Sequence, residues 1–339
     1  MEVVAGMSDK LRLGEVGAYA RRVEALGFDT LHVPETVHDA FLGAMLALEH
    51  TKRITVRTSV ALAFTRSPMV TAYAAWDLAL ESGGRFELGL GTQIRQNIEG
   101  RYGVPWHPPV LWMRDHLAAL SAIFDSFHEG TPLAHTGPHY RLGRLQPFFR
   151  PDPVPTGPPP LWLGGVNRHI VELAGEVARG FVTHPTNSHP RYLQELCLPA
   201  LDAGAALAER PRPRVIAGAQ WATGRTANEL AENREHHRRM LAFLYSTPAY
   251  RRTLELFGWE DLGEQLQRLT REQAWDRLHT IVTDEILDAL VPQATWDELP
   301  DVVGAWYRNL ADGVLLRPPE DPEGDGRFAE VVAAVRALG

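Results

Sequence analysis

Six short polar clusters in this chain have the residue types for chemistry, and each closes a short apolar run. Glu35, Thr36 and His38 follow residues 29–33. Ser59 to Arg66 end a β-rich run that begins at Ile54, and Thr92 and Gln93 follow FELGLG. Gly164, Gly165 and Asn167 follow a tryptophan-bearing run, His184 follows GFVT, and Arg317 follows GVLL. Histidine changes charge near neutral pH. Threonine, serine and glutamine offer neutral hydrogen bonds. Arginine meets phosphate or carboxylate with a fixed fork of donors. The set is polar but weakly charged. It holds no carboxylate cluster for a hard cation, no HExxH and no Cys/His set for zinc. His135 and His139 are four apart, but they fall in a predicted hairpin. The chain also lacks the G-x-S-x-G elbow and the P-loop.

The segment SGGRFELGLGTQ, residues 82–93, says most about what the clusters surround. Gly83 and Gly84 supply a turn, since glycine reaches positive φ at little cost. Phe86, Leu88 and Leu90 fall on one face of a strand. Gly89 and Gly91 clear the backbone where something approaches it. This is not the dinucleotide fingerprint, because Ile94 stands where a third glycine is needed. A mouth lined by Gly, Ala, Ser and Thr suits a flat organic cofactor. Such a cofactor carries the chemistry while the protein supplies position and electrostatics.

The elements that position these clusters alternate. Apolar strands are predicted at 3–5, 29–33, 54–64, 86–90, 160–163, 180–184, 214–221 and 313–316. Helices are predicted at 13–26, 40–50, 68–81, 112–127, 168–177, 191–208 and 327–338. Eight strands separated by helices predict an α/β fold: a (β/α)8 TIM-like barrel with insertions after strands four and seven. The first insertion, about 129–159, is Pro- and Gly-rich, carries a hairpin near 135–142, and is expected over one end of the barrel. The second is a helical block at about 228–290. Residues 1–339 then form a single barrel domain. Ligands bind at the C-terminal ends of such strands.

Composition narrows the partners. Net charge is −8, which argues against nucleic acid. All but Lys10 and Lys52 of the 34 basic residues are arginines, so anions will be met by arginine, histidine or backbone N–H groups. Cys197 is the single cysteine and lies in an apolar helical run, so it reads as a buried, inert thiol. No apolar run is long enough to span a membrane. A soluble cytoplasmic protein with no membrane partner is expected.

Four segments then carry a family likeness: GFDTLHVPETVHDAF (27–41), RTSVALAFTRSPMVTAYAAWDLALESGGRFELGLGTQ (57–93), PPLWLGGVNRHIVELAGEVARGFVTHP (159–185) and STPAYRRTLELFGW (246–259). The sequence resembles the luciferase-like family of flavin- and deazaflavin-dependent oxidoreductases. It looks most like the subgroup assigned to coenzyme F420, a 5-deazaflavin. The resemblance implies a TIM-like barrel with the tricycle at the strand mouth. It implies a non-prolyl cis peptide in strand three, at Ser59–Val60 or its neighbour Ala61. It places the ring's polar edge at Gly91, Thr92 and Gln93, and the ribityl phosphate end near Gly164, Gly165, Val166 and His184. Arg66 and Arg317 are candidates for the anionic tail, with a solvated role as the alternative for each. Glu35 matches the family's acidic position. The histidine usual after that acid is replaced by Thr36, and the glutamate usual beyond the Gly-Thr by Ile94 and Arg95. His38 is the substitute for the histidine, with a surface role as its alternative. Trp106, Trp112, Phe148, Phe149 and Trp221 are read as lining an acceptor pocket or as core.

The function so implied is F420-dependent hydride transfer to or from a small organic substrate. The alternatives are an FMN-dependent monooxygenase, supplied by a separate reductase, and a non-catalytic cofactor-binding scaffold. By the same resemblance the protein is a homodimer.

Overall fold

Strands covered on both faces need apolar residues outward and size-matched residues inward. That pattern builds the centre of this protein. A computed structural model describes residues 1–339. Eight barrel strands run in parallel: β1 (Glu2–Gly6), β2 (Thr30–Val33), β3 (Thr55–Thr58, resumed at Ala61–Leu62), β4 (Phe86–Gly91), β5 (Leu161–Gly165), β6 (Gly180–Thr183), β7 (Arg214–Ala217) and β8 (Gly313–Leu316). They follow the order β3-β2-β1-β8-β7-β6-β5-β4, and Val56 of β3 pairs with Phe86 of β4 to close the ring. This is a TIM-barrel α/β fold.

Local signals start the helices. Asp39 accepts from the N–H groups of Phe41 and Leu42 to cap Ala40–Glu49. Ser67 caps Pro68–Glu81, which opens on a proline whose missing N–H costs nothing there. Phe86, Leu88 and Leu90 are fully buried between the sheet and these helices. The inward residues form three layers. At the N-terminal end Arg57 bridges Glu2 and Glu87. Above them sit Val4, Trp162, Val182 and Ile216, packed with Leu315. At the C-terminal end Gly6, Gly91, Gly164 and Gly218 leave the barrel hollow.

Both predicted interruptions exist, with different placement from that expected for the first. The hairpin pairs His135–Thr136 with Arg141–Leu142. It is held on the helix Pro109–Glu129 by Asp115, which accepts from His135 Nε2 at 2.8 Å and from the N–H groups of His139 and Tyr140. The chain then passes Tyr73, whose hydroxyl donates to Phe149 O, and Trp76, whose indole donates to Asp152 O. It reaches Gly84, where a Cβ would lie 2.3 Å from Thr156 Oγ1. The segment therefore runs along the outer helices and not over one end of the barrel. The helical block after β7 has its own core, including Leu241, Tyr245, Leu254, Leu266 and Leu287.

Besides the break in the third strand between Thr58 and Ala61, two elements differ from the sequence reading. The seventh strand ends at Ala217, because Gly218 packs against the Thr183 carbonyl and the chain leaves the barrel. Residues Ala222–Gly224 instead pair in parallel with Gln293–Thr295 in a separate two-stranded sheet. The helix expected at 191–208 contains a π-helical turn over Leu193–Cys197. Cys197 there is fully buried, and burial pushes its thiol up to about 12.

Candidate active site

The glycine layer opens into a cavity of 560 Å³ at the C-terminal mouth. Its wall includes Ser59, Val60, Gly91, Thr92, Gln93, Gly164, Gly165, Val166, His184 and Arg317, drawn from β3, β4, β5, β6 and β8. The Ser59–Val60 peptide is cis. Val60 stands between two glycines: a Cβ on Gly91 would lie 2.5 Å from Val60 Cγ2, and one on Gly164 2.8 Å from Val60 Cγ1. The glycines of β4 and β5 thus make room first for a valine side chain. Gly89 is different again. A Cβ there would meet the Thr58 carbonyl at 2.0 Å, and Thr58 Oγ1 exchanges hydrogen bonds with the Gly89 backbone. What approaches Gly89 is the neighbouring strand.

Glu35 lines the cavity, but its carboxylate is already engaged. It accepts from Leu62 N–H at 2.8 Å and from both Nη atoms of Arg66, at 3.0 and 2.8 Å. Arg66 also pairs with Asp39, so this arginine ties the β2 and β3 loops together. His38 and Ala61 are not on the cavity wall. His38 immediately precedes the Asp39 cap and is carried over the helix start, while Ala61 is buried with its neighbours in the main core.

His184 stacks on Tyr250, with ring centroids 4.2 Å apart, and its Nδ1 lies 2.8 Å from Thr186 Oγ1. Burial pulls its imidazole down to about 4, so the ring is neutral at pH 7. Tyr250, Leu244 and Ala249 bring the helical block to the cavity wall. Arg317 is exposed and forms no ion pair within the protein.

The sequence reading missed His32, which lines the cavity although it is 3% exposed. Its signal was a polar residue inside TLHV at the same alternation as Thr30. Met7, Asp9 and Tyr250 were also missed. Of the five aromatics, Trp221 borders a second cavity that shares Gly218, Leu315 and Arg317 with the first. Trp112 stacks on Phe64 at 3.7 Å in the core. Phe148 and Phe149 are 90% and 54% exposed, because their insertion lies outside the mouth. No group of three His, Cys, Asp or Glu is placed to hold a metal ion. No helix is long and apolar enough to cross a membrane.

The closed parallel barrel, with a glycine-lined cavity at the C-terminal ends of its strands, defines a TIM-barrel α/β protein. Residues 2–313 match the family described as luciferase-like monooxygenase. A protein of Mycobacterium tuberculosis is 40% identical over 308 residues, covering 90% of this chain and 89% of its own. The chain belongs to this luciferase-like family. The 5,10-methylenetetrahydromethanopterin reductase of Archaeoglobus fulgidus is 25% identical over 315 residues, 91% of each chain. The solved coenzyme F420-dependent tetrahydromethanopterin reductase of Methanopyrus kandleri superposes with a TM-score of 0.81. It is 18% identical and covers 99% of this chain and 98% of its own, a likeness of fold.

Proposed function

We propose that this protein is a coenzyme F420-dependent oxidoreductase that moves a hydride between the deazaflavin and a small organic substrate. The observation that carries the reading is the Val60 wedge. It offers an apolar face at the cavity floor, with neutral donors of Thr92 and Gln93 beside it. Gly6 also lines the cavity, and a Cβ there would touch the Leu315 side chain at 3.6 Å without displacing it. The likeness to reductases of this kind supports F420 over FMN. A 5-deazaflavin supplies two-electron chemistry, because carbon replaces the ring nitrogen that supports radical and peroxide states in flavins.

The chain's own residues bind and orient. Val60 and the glycine layer set the depth of the ring. Gly164, Gly165, Val166 and His184 receive its ribityl side, and Arg317 its anionic tail. The substrate stands over the open face of the ring, at roughly 3–3.5 Å from the reacting carbon. Glu35 acts through Arg66 as an anchor for the β2 and β3 loops. His38 is not on the cavity wall and sits beside the Asp39 cap, so no proton transfer is assigned to it. The whole chain works as one barrel domain, as a cytoplasmic homodimer. The family description keeps the alternative of an FMN-dependent monooxygenase with a separate reductase.

Titration of the purified protein with F420 and with FMN, followed by an oxygen-consumption assay, tests the reading. Tighter F420 binding without oxygen uptake is expected. Tighter FMN binding with oxygen uptake replaces it by the monooxygenase, and binding of neither tricycle rejects both.

A further inference from the structure

His32 is a buried polar residue at the cavity, held between two neighbouring strands. It pairs in register with Gly6 on one side and Arg57 on the other. Its ring faces into the barrel, where Arg57 Nη1 lies 2.9 Å from His32 Nε2. A guanidinium only donates. Nε2 is therefore the acceptor, and the neutral ring carries its proton on Nδ1. Arg57 cannot turn away to release this choice. Its Nε donates to Glu87 at 2.6 Å, its Nη2 to Glu2 at 3.1 Å, and its Cζ lies 3.4 Å above the Trp162 ring. His32 Nδ1 has no protein partner, yet it is not among the sealed, unsatisfied buried atoms, and the residue lines the cavity. Burial, then the charge of Arg57, holds the imidazole well below the ordinary histidine range, so the ring stays neutral.

We infer that His32 presents a fixed neutral Nδ1–H donor at the cavity floor, and that it receives a carbonyl of the pyrimidinedione edge shared by deazaflavins and flavins. Arg57 is its positioning residue. The inference rests on the proposed occupation of the cavity by a tricycle, but not on which one. When a hydride and no further proton has been added, the reduced ring carries one negative charge spread over N1 and the C2 carbonyl. A donor at that edge is bound more strongly by the reduced anion, whose charge lies there, than by the oxidised ring. The arginine behind the imidazole strengthens the preference without a proton changing hands. His32 then favours the reduced cofactor, and a cation in its place is not needed.

The test has two arms. In the unloaded protein, long-range ¹H–¹⁵N correlation of the histidine rings at pH 7 reads the tautomer, with the His32 signal assigned by its loss in His32→Phe. A neutral ring protonated at Nδ1 is expected; protonation at Nε2, or a cation, overturns the inference. Adding oxidised F420 or FMN to the wild type should shift the His32 Nδ1–H proton, and no shift overturns the proposed contact. Affinities for oxidised and reduced cofactor are then compared by anaerobic titration. His32→Phe, which keeps the ring without a donor, should lose about tenfold for the reduced form and about threefold for the oxidised form. His32→Asn, whose amide nitrogen falls near the Nδ1 position, should recover most of the loss. If wild type binds neither tricycle, the proposed function fails and this inference with it. If wild type binds and His32→Phe binds both redox forms as well, the inference alone fails. Should His32→Phe not fold, loss of the signal in His32→Asn assigns it instead, and the wild-type tautomer and shift measurements still decide it.

Discussion

His116→Phe should stabilise this protein in acid while leaving it nearly unchanged at neutral pH. His116 is fully buried on the helix Pro109–Glu129. Its Nδ1 lies 3.2 Å from the Tyr140 hydroxyl, and its Nε2 is buried without a partner. Burial pulls the ring from 6.5 down to about 4. The folded pKa is thus below the unfolded one, so the unfolded chain binds the extra proton between those values. Stability from the neutral ring is full above pH 6.5 and is lost as pH falls toward 4. Between pH 7 and pH 5 the linkage amounts to about 2 kcal/mol. Phenylalanine has similar volume and no proton to take up. At pH 7 it forfeits the Tyr140 contact, about 1 kcal/mol, but also removes the unsatisfied Nε2, an offset of similar size. Tyr140 keeps the indole donor of Trp112 at 2.8 Å. Urea unfolding at pH 7 and pH 5 should therefore show the variant within about 1 kcal/mol of wild type at the first pH and ahead by about 2 kcal/mol at the second. An equal difference at both pH values, or one that shrinks in acid, would refute the reasoning, because His116 would then not be held neutral by the fold.

Three further outcomes follow from the site. Gly6→Val adds a side chain at the cavity wall in ordinary contact with Leu315, so a thermal melt should change little while cofactor titration weakens at least tenfold. Gly91→Ala forces Val60 aside and should cost about 1–3 kcal/mol in denaturant unfolding; adding Val60→Ala should recover most of that, and no recovery would separate the two residues. Glu35→Gln weakens the hold on Arg66, which keeps Asp39, so a loss of about 2 kcal/mol is expected by the same assay.

The barrel was legible because its punctuation is local. Helix Pro68–Glu81 and strand Gly313–Leu316 lie at the bounds predicted for them. The hairpin near 135–142 was readable from its turn residues. The run from Ile54 was not one strand, since nothing in its composition marks the interruption between Thr58 and Ala61. At the mouth, the strand-end residues of β3 to β6 were found because strand ends fix their place. His32 was not. Whether a polar residue in a short strand faces the lumen or the helices depends on register, and its partner Arg57 is on another strand. His38 shows the opposite error. It is only five residues past Val33, yet it is not on the cavity wall and directly precedes the Asp39 cap. Gly91 also had two explanations that sequence cannot separate, a ligand or a neighbouring side chain. Val60 supplies the second.

The Arg57, Glu2 and Glu87 layer, roofed by Trp162, has a consequence for traffic. It makes the barrel a blind-ended well. Under the proposed function, two ligands must then use one doorway, and they queue. Whichever sits deeper enters first and leaves last. The ring set against Val60 is the deeper of the two, so the substrate comes and goes above it while the tricycle stays. Exchange of the spent cofactor has to wait for an empty doorway.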